Sequence, residues 1–136
     1  MIINNNMARN TRIFADLDIN FRSHPSTGDV TMRYDEEAIK QSIKNLVMTN
    51  HYERPFHPEI GSQLRALLFE PASPLLVISL KQAITNTINN FEPRVNLLGV
   101  NINFMPDKNT IHVIIEFTII NTNRPIVLNL VLGRTR

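Results

Sequence analysis

The last third of the chain constrains its fold more than any other stretch. Leu98, Val100, Ile102 and Phe104 alternate with Gly99, Asn101 and Asn103. Ile111, Val113, Ile115, Phe117 and Ile119 alternate with His112, Ile114, Glu116, Thr118 and Ile120. Ile126, Leu128, Leu130 and Leu132 alternate with Val127, Asn129 and Val131. On an extended backbone, side chains two apart share a face, so each run predicts a strand with one apolar side. Pro106-Asp107-Lys108-Asn109 and the stretch from Asn121 to Pro125 carry turn chemistry. Connections this short join neighbouring strands antiparallel, which predicts a meander.

One face of such a sheet is strongly apolar and must be covered. The preceding sequence supplies helices for the purpose. Asp35 is suited to cap a helix over Glu36 to Met48, with Glu36 and Glu37 in its first turn. Its stripe is Ile39, Ile43, Leu46 and Val47. Ser62 to Glu70 reads as a short second helix, with Leu64, Leu67 and Leu68 apolar and Pro71 ending it. Ser73 caps a third helix, with Pro74 at its first position, where the missing N–H costs nothing. Val77, Leu80, Ile84, Ile88 and Phe91 form its stripe. The expected fold class is therefore α+β, about three helices packed on a small C-terminal antiparallel sheet.

Upstream, apolar residues alternate from Ile13 to Phe21, a strand or extended segment. His24 to Asp29 reads as a turn. Val30, Met32 and Tyr34 alternate again, which suggests a loose hairpin. Residues 1–12 are expected to form a flexible, Asn-rich arm and residues 13–136 a single domain. At 136 residues, with 43% apolar and 19% charged, a chain can bury roughly two-thirds of its unfolded surface.

The third helix runs into Glu92-Pro93-Arg94. Pro93 stops it, lacking an N–H and clashing with the preceding turn. It also pushes Glu92 toward extended geometry. Residues 92 and 94 then point to one side and can form a fixed pair of opposite charges. A second dense segment lies between Asn50 and Gly61. There Arg54, Pro55, Phe56, Pro58, Glu59 and Gly61 combine two fixed φ angles with one permissive residue.

Chemistry-bearing patterns are few. The chain has no cysteine, hence no disulfide framework and no thiolate nucleophile or ligand. His51 and His57 share a loop without an acidic partner at a familiar ligand spacing, so neither metal nor cofactor is expected. A glutamate beside an arginine is held ionised, the wrong state for a general acid. Nucleophile and Gly-rich phosphate motifs are absent. The net charge of +2 comes from scattered basic residues rather than a basic stripe, so nucleic acid is not an expected partner. No apolar run approaches the ~18 residues of a transmembrane helix, so a membrane is not expected either. The last strand is apolar and, in a meander, lies at a sheet edge. Such an edge is an aggregation liability unless something pairs with it. A strand from another chain or the N-terminal segment of the same chain answers this equally well.

In order along the chain stand Arg54-Pro55-Phe56, Pro58-Glu59-Ile60-Gly61, Leu64, Leu68-Phe69-Glu70 and Glu92-Pro93-Arg94 before a β meander. The early Ile13-Phe14-Ala15-Asp16-Leu17-Asp18 precedes them. This order resembles the baseplate wedge proteins of contractile-tailed phages, a family that also includes a baseplate subunit of type VI secretion systems. The resemblance covers residues 14–132. His57 departs from it, standing where a small or acidic residue is commoner. The resemblance implies a fold similar to the C-terminal domain of sheath subunits, and a non-enzymatic structural protein of the tail baseplate, assembled in the host cytoplasm. It implies docking on the helical core bundle of the wedge through Glu92, Pro93 and Arg94. The loop residues Arg54, Pro55, Phe56, Glu59 and Gly61 would have a structural or docking role. It further implies sheath subunits as partners, templated by strand addition at an edge built from Ile111, Val113, Ile115, Ile126, Leu128 and Leu130. Tube or hub-proximal proteins are further partners that the resemblance allows. Some members carry the label "lysozyme-like", so a cell-wall muramidase is the alternative, and a monomeric adaptor outside any virion is a third.

Overall fold

The structure, a computed structural model, describes residues 15–17, 25–26, 32–120 and 122–134. The expected arm over residues 1–12 lies outside them. The chain divides into two compact units, Met1–Ile39 and Lys40–Arg136.

In the first unit, strands β1 (Ala15–Leu17) and β2 (Met32–Tyr34) pair antiparallel, with Ala15 opposite Tyr34 and Leu17 opposite Met32. This is the pairing that the upstream alternation suggests.

Helix α1 (Asp35–Met48) begins at Asp35, whose φ of 48° is not helical and marks the boundary. Asp35, Glu36 and Glu37 fill its first turn, where negative charge opposes the helix dipole. Ile39, Ile43 and Val47 of the expected stripe are buried. The C-terminal carbonyls find partners beyond the helix. Thr49 bonds to the Asn45 carbonyl through its N–H (2.9 Å) and its hydroxyl (2.6 Å). The Ser62 hydroxyl donates to the Val47 carbonyl at 2.6 Å.

Helix α2 is shorter than expected, Leu64–Leu67 rather than 62–70. Its continuation tightens into turns in which the Phe69 and Glu70 N–H groups bond to the Ala66 and Leu67 carbonyls, three residues back. Two causes act on this segment. Ser62 is outside the helix, accepting the Leu64 N–H at its hydroxyl. Pro71 disfavours helical geometry at Glu70.

Helix α3 (Pro74–Phe91) starts as predicted, with the Ser73 hydroxyl accepting the Leu76 N–H at 3.1 Å. Its buried residues are Leu76, Leu80, Ile84, Thr87 and Ile88. The stripe is thus centred slightly off the predicted one, and Val77 and Phe91 are half-buried. Thr87 is tolerated there because its hydroxyl donates to the Ala83 carbonyl at 2.8 Å, as buried hydroxyls must find a partner.

The meander follows. Strands β3 (Val95–Met105), β4 (Thr110–Ile119) and β5 (Pro125–Gly133) form one antiparallel sheet in the order β3-β4-β5. A 3-10 turn over Pro106–Lys108 joins the first two, and Asn109 closes it with φ 49°. β4 alternates strictly, with Ile111, Val113, Ile115, Phe117 and Ile119 buried. In β3 the alternation slips at a bulge between Leu97 and Gly99. Leu98 is the extra residue and is exposed, whereas periodicity had placed it on the apolar face with Val100. A bulge re-aims side chains without any change of strand, which period-2 counting cannot detect. α3 lies against β3, and the core sits between them. Each fully buried aliphatic side chain there contributes roughly 1.5–3 kcal/mol.

Candidate functional site

The corner after α3 is built from the inside. Glu92 is only 3% exposed. Arg94 reaches back two residues and grips both its oxygens, Nε to Oε1 at 2.6 Å and Nη2 to Oε2 at 2.9 Å. Ser42 on α1 donates its hydroxyl to Oε2 at 2.5 Å. The corner is also tied by its backbone. The Glu92 N–H closes α3 on the Ile88 carbonyl, and the Arg94 carbonyl accepts the Ile120 N–H, each at 2.9 Å. Burial pushes the Glu92 carboxyl up. The hydrogen bonds from Arg94 and Ser42, with the guanidinium charge, outweigh that and hold it below its ordinary value. Pro93 stays exposed at the apex. The sequence pattern located the pair and its state, but nothing in it pointed to Ser42.

The loop from residue 50 to 61 is folded on itself. The Tyr52 N–H bonds to the Pro58 carbonyl (2.9 Å) and the Ser62 N–H to the Thr49 carbonyl (2.8 Å). Glu53 accepts the Asn50 N–H and side-chain amide, both at 2.9 Å, and faces Arg65 at 3.6 Å. Its carboxyl is held below its ordinary value, first by the Asn50 N–H. Glu59 is shifted the same way, first by its own backbone N–H and then by His57, 3.2 Å away. Gly61 has φ 140°, and a Cβ there would stand 2.8 Å from the Asn50 and Thr49 backbones. Only glycine fits.

What this loop shows to solvent is aromatic. Phe56 is 96% exposed and Tyr52 86%. Both have left-handed backbones, at φ 68° and 69°, a conformation that costs a bulky residue on the order of 1 kcal/mol or more. Arg54 and Pro55 are exposed between them. Tyr52 escaped sequence reading, because neither its exposure nor its φ leaves a mark in the pattern. A polar cleft of about 380 Å³, lined by His51, Glu59 and Gly61 with Asn86, Asn90 and Phe91, joins this loop to the end of α3. The loop and the corner therefore share one end of this unit.

The expected strand-addition residues divide. β4 is the central strand, bonded to β3 on one side and β5 on the other. Ile111, Val113 and Ile115 thus lie inside the sheet with their side chains in the core. Only Ile126, Leu128 and Leu130 stand on an edge strand. Meander order dictates this outcome, since a middle strand has no free side. The edge of β5 is otherwise open in the described sheet.

Arg134 anchors the end of β5. Its guanidinium donates to the Leu68 carbonyl at 3.4 Å and to that of Glu70, and lies 5.2 Å from the centre of the Phe104 ring. Its backbone exchanges hydrogen bonds with Asn109.

The three glutamates with displaced acidity are all displaced downward, opposite to what a general acid needs. An apolar cleft of about 430 Å³ between Pro74, Leu76 and Leu80 of α3 and Ile102, Phe104 and Ile111 of the sheet is lined by no carboxylate. The polar cleft has one, Glu59, where glycoside hydrolysis uses two. Among the described residues no group of three or more His, Asp or Glu could hold a metal ion, and no helix is long and apolar enough to cross a membrane.

The family model described as baseplate wedge protein gp25 matches residues 33–124. The chain belongs to this family. The baseplate wedge protein gp25 of Enterobacteria phage T4 is 31% identical over 115 residues, 85% of this chain and 86% of its own. Three solved structures share the fold. A candidate tail lysozyme of Geobacter sulfurreducens has a TM-score of 0.69 at 22% identity, covering 74% of this chain and 92% of its own. A chain of the six-fold symmetrised baseplate of the anti-feeding prophage has a TM-score of 0.64 at 23% identity, covering 90% and 87%. A chain of the postcontracted pyocin R2 baseplate has a TM-score of 0.56 at 19% identity, covering 90% and 100%. The α+β architecture is that of these neighbours. The chain is a baseplate wedge protein, a structural component of a contractile tail system.

Proposed function

We propose that this chain docks on the helical core of the baseplate wedge through its corner and loop, and that the free edge of β5 accepts an extended segment of a sheath subunit. Sheath assembly would then start from a strand added to this sheet. The observation that carries the reading is the locked corner. Glu92, Arg94 and Ser42 satisfy one another internally and hold exposed Pro93 in a fixed backbone. A surface fixed in advance loses little entropy on binding. Arg54, Pro55 and Phe56 extend the same end, with Glu59 and Gly61 shaping the loop beneath them.

The edge supports the second half. Natural edge strands are commonly blunted by lysine or an internal proline. Along β5 the proline is at the first position, where it costs no ladder bond, and Val127 and Val131 are exposed. The muramidase alternative finds no support in the downward shifts of the glutamates. A complex with other baseplate subunits, built in the host cytoplasm, accounts for the exposed apolar residues better than a monomeric adaptor does.

Replacing Val127 and Val131 together by lysine puts two charges along the outer face of the edge without touching the core. The expected product is a complete baseplate without sheath, visible by negative-stain microscopy. Normal sheaths on these particles would overturn the strand-addition half.

A further inference from the structure

The polar cleft between the loop and α3 is built before anything enters it. The buried Thr87 hydroxyl, which donates to the Ala83 carbonyl, also lies 3.4 Å from the Gly61 carbonyl and ties helix to loop. Asn86 and Asn90 stand one turn apart on α3, hence on one face, and Gln63 joins them from the segment before α2. These three carboxamides make no hydrogen bond among the described residues. His51 also lines the cleft, with Nδ1 3.2 Å from the Glu59 carbonyl. A carbonyl only accepts, so the proton is assigned to Nδ1, and in the neutral ring Nε2 is an acceptor.

Charge in the cleft has one sign. Glu59 is its single carboxylate, and no lysine or arginine lines it. His57 meets one Glu59 oxygen at 3.2 Å. A carboxylate has about four acceptor positions, so capacity remains. Phe91 adds an aromatic wall, and an aromatic face attracts a cation. Acceptors from several directions, a negative charge and an aromatic face suit a planar cation rich in N–H donors. A guanidinium carries about five such donors in a fixed fork. A neutral saccharide would leave the charge of Glu59 unanswered.

We propose that this cleft receives an arginine side chain of the wedge subunit on which the chain docks. The inference rests on the docking reading above and specifies the residue that the partner presents. The cleft runs from Phe91, two residues before Pro93, to the loop that carries Arg54 and Phe56, so its occupant is continuous with that surface. Arg65 and Arg94 are engaged elsewhere, the first facing Glu53 at 3.6 Å and the second holding Glu92 at 2.6 Å. The chain's own Arg9 and Arg12, and an arginine of a second copy, are the competing occupants.

The test is a titration of the isotope-labelled full chain with N-acetylarginine amide, followed by NMR into the millimolar range. The side-chain amide signals of Gln63, Asn86 and Asn90 are expected to shift together along one saturating curve. N-acetylcitrulline amide, of the same shape but uncharged, should bind roughly tenfold more weakly, the scale of one charge-assisted hydrogen bond. In Glu59→Gln the two probes should bind alike. Glu59 is exposed, so this variant keeps the fold. Equal binding of both probes to the unaltered chain, absence of shifts, or tighter binding of chitotriose overturns the proposal. Shifts seen only in the Arg9→Gln, Arg12→Gln double variant, or only on dilution of the protein, give the cleft to the chain's own arm or to a second copy and overturn it as well. Co-expression separates this inference from the docking reading. Glu59→Gln should lower incorporation into baseplates. Normal incorporation of Glu59→Gln alongside failure of Phe56→Asp overturns the arginine site and leaves docking by this end standing. Normal incorporation of both variants removes docking by this end itself.

Discussion

Arg94 holds Glu92 by both carboxylate oxygens, at 2.6 and 2.9 Å, across a single intervening proline. The pair is internal to the fold before it is anything else. Arg94→Leu leaves a carboxylate that is 3% exposed without its guanidinium partner, held by the Ser42 hydroxyl and the backbone N–H of residue 94. Breaking a buried pair from one side costs about 3–5 kcal/mol, and urea denaturation should show a loss near the lower figure, since Arg94 keeps some exposure. Adding Glu92→Met to Arg94→Leu removes the stranded charge and should restore most of the stability. A double variant no better than the single one would contradict this.

The same pair sets a pH dependence. The folded-state pKa of Glu92 is lowered from 4.5, so the folded protein binds this proton less tightly than the unfolded chain. Its contribution is fully present above the unfolded value and is lost as pH falls through the lower folded value. Urea midpoints measured between neutral pH and pH ~3 should fall with acidity. In Glu92→Gln the fall should be shallower, from a lower starting point.

Gly61→Ala meets two costs at once. The φ of 140° is closed to alanine, and the new Cβ would sit 2.8 Å from backbone atoms of Thr49 and Asn50. Strain of this kind costs about 1–3 kcal/mol, and overlap with backbone adds to it. A clear drop in melting temperature is expected. An unchanged melt would mean the loop closes differently.

Phe56→Asp should separate binding from stability. At 96% exposure the ring contributes little to the fold, so the change should stay within about 0.5 kcal/mol. Incorporation into baseplates on co-expression should fall sharply, because exposed aromatic residues are typical interface anchors. Wild-type incorporation would remove Phe56 from the docking surface.

Periodicity made the large features legible. The stripe of α3, the Ser73 cap with Pro74 behind it, and the strict alternation of β4 follow from spacing alone. The Glu92–Arg94 pair was legible because Pro93 forces an extended geometry in which residues two apart must meet. Three kinds of feature were not. The bulge at Leu98 changes which side chains face the core without changing residue type. The left-handed backbones of Tyr52 and Phe56 belong to residues that rarely adopt them, so composition points the other way. The Ser42 bond to Glu92 and the Arg134 bonds to the Leu68 and Glu70 carbonyls span 50, 66 and 64 residues of sequence, and no local pattern encodes such partners. The placement of Ile111, Val113 and Ile115 at an edge failed for a simpler reason, since β4 is the middle strand of its own meander.

In the proposed assembly the β5 edge is filled and the corner covered when the tail is built. Amide hydrogen exchange read by mass spectrometry, on the free chain and on sheathed particles, tests this most directly. Edge-facing amides of residues 125–133 have no strand partner among the described residues and are expected to exchange readily in the free chain. Strong added protection is expected there in the particle, together with protection across residues 50–61 and 92–94. Exchange of residues 125–133 at the same rate in both states would contradict it.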